Sequence, residues 1–293
     1  MIPATYTYKC VNDLAVKADV YRSEHGGKRP CVVWIHGGAL INGHRGAVPA
    51  FLLEPLLEAG YVVVSVDYRL APETMLPQII EDLEDAWRWV CEEGPGLFGI
   101  DGGRVAAVGG SAGGYLALTA GFRACPRPAC VVAFWGYGDL IGSWYSMPSP
   151  HPAHHRLEPT EVEARQQVSG SAVSDARERQ GDGGAFYQYC RQQGIWPQEV
   201  SGWDPHAEAE RFYPFMPVRN VSPGYPPALL VHGTDDTDVP YEQSVMMTEQ
   251  FRQHGVVHEL ITIPGAEHGL AGGDPGEIAA AHRAALAFLT THT

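Results

Sequence analysis

Short apolar segments rich in Val and Ile alternate along this chain with segments of helical periodicity, and this alternation constrains the fold more than any other feature. Two segments, Thr5–Cys10 and Leu14–Tyr21, alternate apolar and polar residues, which predicts an antiparallel hairpin at a sheet edge. Six continuous apolar runs are typical of strands buried on both faces of a parallel sheet: Cys31–Ile35, Tyr61–Val66, Arg104–Val108, Val131–Trp135, Ala228–Val231 and Glu259–Ile263.

Helical patterns separate these predicted strands. Four apolar residues recur at the spacing of one helix face: Ile79, Leu83, Trp87 and Val90. Pro77 is placed to begin that helix. Three more helices are predicted over Tyr115–Ala124, Glu242–His254 and Glu277–Leu289. Because strands and helices alternate, we expect an α/β fold whose mostly parallel sheet carries helices on both faces.

Residues 142–223 interrupt this alternation. They are rich in Pro, Gly, Gln and His, contain ten aromatic residues and show no buried-strand pattern. A structureless loop of this length is improbable inside a compact domain. We therefore predict an inserted cap over 142–223, with helices at Pro159–Val168 and Ala185–Gln193, between two core segments at 1–141 and 224–293. Most of the aromatic residues are expected to pack the cap onto the core, and a few to line the entrance to a site.

Composition narrows the range of partners and locations. The net charge of −14 disfavours nucleic acid and anionic membranes, since such binders need a basic face. No apolar stretch approaches the ~18 residues of a membrane span, and no signal peptide is visible at the start of the sequence. The six cysteines are scattered and lack metal-ligand spacing. We expect a cytoplasmic location without a membrane span.

Residues 109–113 read Gly-Gly-Ser-Ala-Gly, which matches the G-x-S-x-G pattern. This pattern places a serine on a sharp turn between a strand and a helix, where glycines two positions before and after avoid a steric clash. Here the turn follows the predicted strand Arg104–Val108 and precedes a predicted helix. Ser111 is therefore the predicted nucleophile.

A glycine-rich loop follows an early predicted strand at residues 36–39, His-Gly-Gly-Ala. Glycines let backbone N–H groups face a developing oxyanion without a Cβ in the way. We expect the donors to be the amides of Gly38 and of Gly37 or Ala39, together with the amide of Ala112 after the nucleophile.

An acid and a base are expected later in the chain, in the order serine, acid, histidine. The loop after the predicted strand Ala228–Val231 contains three candidate acids. Asp236 is preferred, Asp235 is the second choice, and Asp238 is interpreted as a solvated turn residue or helix N-cap. His268 lies after the last predicted strand and before the last helix, which makes it the predicted general base.

Other histidines are given structural roles. His36, at a strand end, is expected to fix its loop through the ring nitrogens. His151, His154 and His155 are interpreted as residues of a solvated loop, because no cysteine or glutamate falls at a metal-ligand interval. We predict neither a metal nor a cofactor.

Four segments together resemble the hormone-sensitive-lipase-like esterases and their bacterial acetyl esterase relatives: HGG (36–38), DYRLAPE (67–73), GGSAGG (109–114) and YPPALLVHG (225–233). The resemblance implies an α/β-hydrolase fold with an eight-stranded core. It also implies hydrolysis of carboxylic esters, often with short acyl chains, by Ser111, Asp236 and His268. The chain departs from the family pattern at Ala39, where a third glycine is common, and at Gly110, where an acidic residue is common.

The leading hypothesis is a carboxylesterase acting on a small-molecule ester. An amidase-type hydrolase, such as an arylformamidase or a peptidase, would use the same machinery on a different leaving group. A catalytically silent receptor with the same fold is a third hypothesis, since a fold alone does not determine function. The oligomeric state is left open.

Overall fold

A single sheet organises the computed structural model, which describes residues 2–23 and 27–293. Within these residues there are eight strands: β1 (Ala4–Val11), β2 (Leu14–Tyr21), β3 (Arg29–Ile35), β4 (Val62–Val66), β5 (Ile100–Gly110), β6 (Val131–Phe134), β7 (Ala228–Gly233) and β8 (His258–Ile263). Their order across the sheet is β1-β2-β4-β3-β5-β6-β7-β8. All eight predicted strands are present, with ends that differ by a few residues.

Strand direction also agrees with the sequence. β1 pairs antiparallel with β2 at one edge, as the alternating pattern predicts, and β2 pairs antiparallel with β4. Every other pairing is parallel, from β4 through β3, β5, β6 and β7 to β8. The predicted mostly parallel, eight-stranded sheet is confirmed.

The central strands are apolar throughout because both of their faces are covered. In β3, Val33 and Ile35 belong to one buried cluster, whereas Val32 and Trp34 belong to a second cluster on the opposite face. This assignment follows the two-residue period of a strand. Burying a Val or Ile side chain contributes about 1.5–3 kcal/mol, so these strands contribute strongly to stability.

Helices cover both faces: α1 (Ala50–Glu58), α2 (Leu76–Glu92), α3 (Gly94–Leu97), α4 (Ala112–Arg123), α5 (Ser143–Ser146), α6 (Glu161–Gln166), α7 (Gly184–Gln193), α8 (Trp196–Ser201), α9 (Pro217–Asn220), α10 (Glu242–Gln253) and α11 (Pro275–His292). The buried residues of α1 and α11 join the cluster of Trp34, and those of α2, α4 and α10 join the cluster of Ile35. The predicted stripe from Ile79 to Val90 is buried in α2, which begins with Pro77 in its first turn.

Residues 142–223 lie between β6 and β7 and contain no strand. They form α5 to α9 and four 3₁₀ helices, at Pro152–His155, Ala176–Glu178, Ala209–Arg211 and Tyr213–Phe215. The two predicted helices correspond to α6 and α7. Four aromatic residues of this segment are buried in the same cluster as Ile35: Tyr145, Phe186, Trp196 and Phe212. The inserted segment therefore shares its apolar core with one face of the sheet.

In the described ranges 2–23 and 27–293, no helix combines the length and apolarity needed to cross a bilayer. β3, β5, β6, β7 and β8 run parallel, so their carboxyl ends lie at one edge of the sheet. Ligand sites in open α/β sheets form at that edge. The loops that carry the predicted site residues all leave the sheet there.

Candidate active site

Ser111 occupies a tight turn between β5 and α4. Its φ of 57° is in the left-handed region, which is strained for a residue with a side chain. A Cβ on Gly109 would lie closer than 3.0 Å to the backbone of Gly113, and one on Gly113 closer than 3.0 Å to the carbonyl oxygen of Ile35. Side chains are therefore excluded at both positions, which is the physical reason for the G-x-S-x-G pattern.

Gly110 is under no such constraint. A Cβ there would lie 3.4 Å from the indole of Trp135, an ordinary van der Waals distance. The position where the resembling family often carries an acidic residue is therefore spacious enough for a side chain. The indole of Trp135 also lies 6.2 Å, edge to face, from the imidazole of His268.

The loop after β3 packs against the serine. A Cβ on Gly37 would be 3.2 Å from the Cβ of Ser111. Gly38 has a φ of 109°, and the amides of Ile41 and Asn42 both donate to its carbonyl oxygen over 2.8 Å. Only glycine adopts such a φ at low cost, so this residue allows the loop to turn beside Ser111.

Four backbone amides near the serine are available to a ligand. In the part of the chain that the structure describes, the N–H groups of Gly37, Gly38, Ala39 and Ala112 donate no hydrogen bond. Ala112 is the first residue of α4, where N–H groups have no partner within the helix. Free amides of this kind can bind an oxygen that carries negative charge.

His36 holds the same loop from inside. It is buried, stacks on Tyr68 with 4.3 Å between ring centroids, and its Nδ1 lies 2.7 Å from the carbonyl oxygen of Gly37. Burial lowers the pKa of His36 to about 4, so the ring is neutral near pH 7. A neutral ring bonded to its own loop has the position and charge expected of a structural histidine.

His268 follows β8 and begins the 3₁₀ helix His268–Leu270. Its Nε2 lies 3.1 Å from the Oγ of Ser111, and its Nδ1 lies 2.8 Å from Oδ2 of Asp236. An ionised carboxylate only accepts hydrogen bonds, so Nδ1 carries the hydrogen and Nε2 is left to accept from the serine hydroxyl. The three residues predicted to carry the chemistry are thus joined by consecutive hydrogen bonds.

Asp236 is held by more donors than the sequence suggests. Its side chain is fully buried, and its Oδ1 accepts from the amides of Asp238 and Val239 over 2.9 and 2.8 Å. Its Oδ2 lies 3.2 Å from Nε2 of His232 as well as beside His268. Burial alone would raise the pKa of Asp236, but the hydrogen bonds from His232 and His268 outweigh it and lower the pKa. The carboxylate is therefore ionised at neutral pH.

His232 was not singled out in the sequence, although it lies four residues before Asp236. It is completely buried at the end of β7, with Nε2 also 3.0 Å from the carbonyl oxygen of Val239 and Nδ1 2.7 Å from the Oγ of Ser244. Because Nε2 faces only acceptors, it carries the hydrogen and directs it at the carbonyl oxygen of Val239 and at the carboxylate of Asp236, 3.2 Å away. The i, i+4 spacing in a loop was the only available signal, and it does not reveal such a contact.

The two other candidate acids are placed differently. Asp235 is exposed, and its carboxylate accepts from the hydroxyl of Thr234 over 2.8 Å rather than from His268. Asp238 is not the solvated turn residue that the sequence suggested, and this interpretation was wrong. Its carboxylate is bound by three side chains of the inserted segment: His154, Tyr187 and Arg191.

Of the three clustered histidines, one is not solvated as predicted. His151 is half-buried and His155 is exposed, but His154 is buried. Its Nδ1 lies 2.6 Å from the Oγ of Ser149 and its Nε2 2.9 Å from Oδ1 of Asp238. Within residues 2–23 and 27–293, no group of three potential ligands among His, Cys, Asp and Glu is arranged to hold a metal ion.

Asp238 connects the inserted segment to His268. The other oxygen of Asp238, Oδ2, lies 3.6 Å from Nε2 of His268. Burial lowers the pKa of His268, but the hydrogen bond to Asp236 and the charge of Asp238 raise it by more, so the net shift is upward. The imidazolium form is therefore stabilised from two sides, by one carboxylate at Nδ1 and a second near Nε2.

A cavity of about 420 Å³ opens beside His268. The loop residues Thr237, Asp238 and Glu267 form one wall, and His154 and Tyr187 of the inserted segment belong to the other. Of the ten aromatic residues in the inserted segment, only Tyr187 lines this cavity, and the others are buried or packed against the core. Polar side chains are present on eight of the ten residues that line this cavity, and Ser111 is not one of them.

Residues 32–272 match the model of a protein family that is described as having the alpha/beta hydrolase fold. The chain belongs to the alpha/beta hydrolase fold family. The fold implied by the motifs is thereby confirmed. The relatives of this alpha/beta hydrolase include the non-reducing polyketide synthase Preu6 of Preussia isomera, which is 27% identical over 295 residues. That match covers 90% of this chain but 13% of the synthase, so the chain spans about an eighth of the length of such relatives.

Solved structures share the fold of this alpha/beta hydrolase along its whole length. A protein of unknown function from Staphylococcus aureus subsp. aureus Mu50 superposes with a TM-score of 0.78 and 22% identity, covering 99% of each chain. An acetyl ester-xyloside bifunctional hydrolase from Caldicellulosiruptor lactoaceticus has a TM-score of 0.69 and 21% identity, covering 96% of this chain and 89% of its own.

Proposed function

We propose that this protein is a serine hydrolase that cleaves carboxylic esters of small molecules through an acyl-enzyme on Ser111. One observation carries the proposal. Asp236, His268 and Ser111 form a continuous hydrogen-bonded series, with distances of 2.8 and 3.1 Å, directly beside unused backbone amides. A nucleophile bonded to a base that is oriented by an acid is the arrangement that acyl transfer requires.

In acylation, the Oγ of Ser111 attacks the ester carbonyl carbon while its proton passes to Nε2 of His268. The carbonyl oxygen becomes an alkoxide, and Asp236 stabilises the imidazolium that has formed. Collapse of the tetrahedral species breaks the bond to the alcohol oxygen, which takes the proton from Nε2 as it leaves. In deacylation, His268 takes a proton from water, the hydroxide attacks the acyl carbon, and Ser111 leaves with its proton restored.

The alkoxide needs donors that are already in place. We assign this role to the amides of Gly38, Ala39 and Ala112, which are free in the described structure, and of these Ala39 supplies its N–H as well as a glycine would. The amide of Gly37 lies in the same loop and is the further candidate. Loss of one such donor costs about 3–4 kcal/mol of transition-state stabilisation.

The substrate class follows from the machinery and from the relatives. The Caldicellulosiruptor lactoaceticus neighbour is named for acetyl ester hydrolysis, which supports esters with short acyl chains. We propose that residues 142–223 act as the cap over the site. An amidase reaction would use the same groups, so a parallel assay of p-nitrophenyl acetate, N-formyl-kynurenine and an aminoacyl anilide decides between ester and amide, and we expect the ester to be cleaved fastest.

The proposal is tested at the nucleophile. Ser111→Ala is expected to fold and to lose turnover on p-nitrophenyl acetate by about 10⁶-fold. A fluorophosphonate should modify one serine in the wild type and none in this variant, as measured by intact mass and peptide mapping. Ser169→Ala, at an exposed serine of the inserted segment, is the matched control and should retain full labelling and activity. Stoichiometric labelling at a serine other than Ser111 would overturn the assignment.

A further inference from the structure

The cavity beside His268 is positioned to receive one specific part of a substrate. Under the proposed function, His268 gives its proton to the departing alcohol oxygen, and the same imidazole forms part of the cavity wall. Ser111 and the amides assigned to the alkoxide do not line this cavity, which favours the departing alcohol over the acyl group as its occupant. The chemistry of the cavity wall then reports the chemistry of the alcohol.

The wall carries many polar groups among apolar surface. Eight of the ten residues that line the cavity have a polar side chain, and the two others, Ala153 and Ala271, are small. An apolar alcohol would remove water from these groups without replacing its hydrogen bonds, which is unfavourable. The volume of about 420 Å³ lies within the roughly 300–1,000 Å³ typical of sites for small molecules.

Several of these polar groups have unused hydrogen-bonding capacity. The side-chain amide of Gln188 and the guanidinium of Arg156 make no hydrogen bond or ion pair to any residue the structure describes. Glu267 uses Oε2 to accept from the amide and hydroxyl of Thr237, over 3.1 and 3.0 Å, and leaves Oε1 unused. The cavity therefore offers both donors and acceptors to a ligand.

The wall carries charges of both signs, which favours a neutral ligand over a singly charged one. The carboxylate of Asp238 forms an ion pair with the guanidinium of Arg191 at 2.8 Å, and the same wall carries the carboxylate of Glu267 and the guanidinium of Arg156. Arg156 is exposed, where solvent screens its charge. Hydroxyl groups are neutral and act both as donors and as acceptors, so several of them on one molecule match such a wall.

We infer that the cavity beside His268 binds the alcohol part of the substrate and that this alcohol is polyhydroxylated, as in a sugar or polyol ester. This inference rests on the proposed function. It assigns to Gln188 and Glu267 a role in selecting the substrate, with no part in bond making or breaking. It also gives the inserted segment a direct contact with the substrate through α7.

Two acetyl esters of the same shape test the inference. In 6-O-acetylglucose and cyclohexylmethyl acetate, the acyl group, the primary alcohol carbon and a six-membered ring are shared, and only the polar groups differ. We expect kcat/KM to be about 100-fold higher for the sugar ester. This is less than the ~10⁴-fold of enclosed hydrogen-bonding sites, because part of the cavity wall is exposed.

A pair of variants on one helix locates the effect. Gln188→Leu should lower the ratio of the two kcat/KM values by about tenfold, because it removes one hydrogen-bonding group from the wall. Gln193→Leu makes the same change at an exposed position of α7 outside the cavity, and it should leave the ratio unchanged. Thermal melting of both variants shows whether they are folded. Competitive inhibition of the wild type by glucose, but not by cyclohexylmethanol, provides a test that needs no variant.

The outcomes separate the inference from the proposed function. A wild type that cleaves cyclohexylmethyl acetate as well as the sugar ester, or prefers zwitterionic O-acetyl-L-serine to both, overturns the inference and leaves the serine esterase intact. An unchanged ratio in folded Gln188→Leu also overturns it. No hydrolysis of any of these esters, nor of p-nitrophenyl acetate, refutes the proposed function itself.

Discussion

The two sides of His268 are built in different ways. On one side, Ser111 and Asp236 are positioned by tight turns and backbone amides at the ends of parallel strands. On the other side, Asp238 is bound by His154, 84 residues away in the chain, and by Tyr187 and Arg191 of α7. The side assigned to the chemistry depends on local backbone structure, whereas the side assigned to substrate selection depends on long-range contacts. Substitutions in the inserted segment can therefore change the second side and leave the structure of the first side unaltered.

The largest expected effect lies on the strand-end side. Asp236→Asn should lower turnover by about 10⁴-fold, since an amide at this position no longer holds the imidazole in the tautomer that accepts the serine proton. Asp235→Asn, at the neighbouring exposed carboxylate, is the matched control and should change turnover little. Steady-state kinetics with p-nitrophenyl acetate measures both. If Asp235→Asn were the more damaging change, Asp235 and not Asp236 would be the acid that orients His268.

A smaller effect is expected from the length of the acyl chain. Acetyl and propionyl p-nitrophenyl esters should be cleaved best, with kcat/KM falling about 10–100-fold beyond roughly six carbons, because overfilling a small site is costly. A series of esters from two to ten carbons provides the measurement. If kcat/KM stayed constant or rose with acyl chain length, the acyl group would bind in an open groove. The acyl side of the site would then not be the tightly built side that the comparison assumes.

The smallest effect concerns pH. Activity should rise with pH, since only neutral His268 accepts the serine proton, and the midpoint should lie above ~6.5 because the pKa of His268 is raised. Asp238→Asn removes the negative charge 3.6 Å from Nε2 and should move the midpoint to lower pH. Asp235→Asn serves again as the control and should leave it in place. A midpoint that does not move in Asp238→Asn would mean that the two sides are electrostatically independent.

Much of the fold could be predicted because the relevant signals are local. The eight strands are either continuous apolar runs or strict alternations, and each pattern has a direct steric cause in burial on two faces or on one. The glycines around Ser111 could be predicted for the same reason, as a Cβ at Gly109 or Gly113 meets backbone atoms. Helix α1 was missed because it contains Pro55, which lacks an N–H and is disfavoured inside helices.

The remaining features depend on partners that are distant in sequence. Three aspartates within four positions are equivalent as a sequence pattern, and only their surroundings distinguish them. Asp236 meets His232 and His268, whereas Asp238 meets the inserted segment. The burial of His154 likewise depends on how a segment without strand pattern folds against the loop that follows β7. Composition can indicate that such a segment packs, but it carries no information about which polar groups meet.

Trp196 links the inserted segment to the loop to which we assign the alkoxide donors. Its indole nitrogen donates to the carbonyl oxygen of Ala39 over 2.9 Å, and the ring is completely buried. If this segment is the cap that we propose, it is not an independent module that could be exchanged between homologues to change specificity. A chimaera that replaced residues 142–223 would have to retain an indole at this position, because otherwise the Ala39 carbonyl would lose its buried partner. Natural or engineered diversification of this segment is expected to spare Trp196 while varying α7.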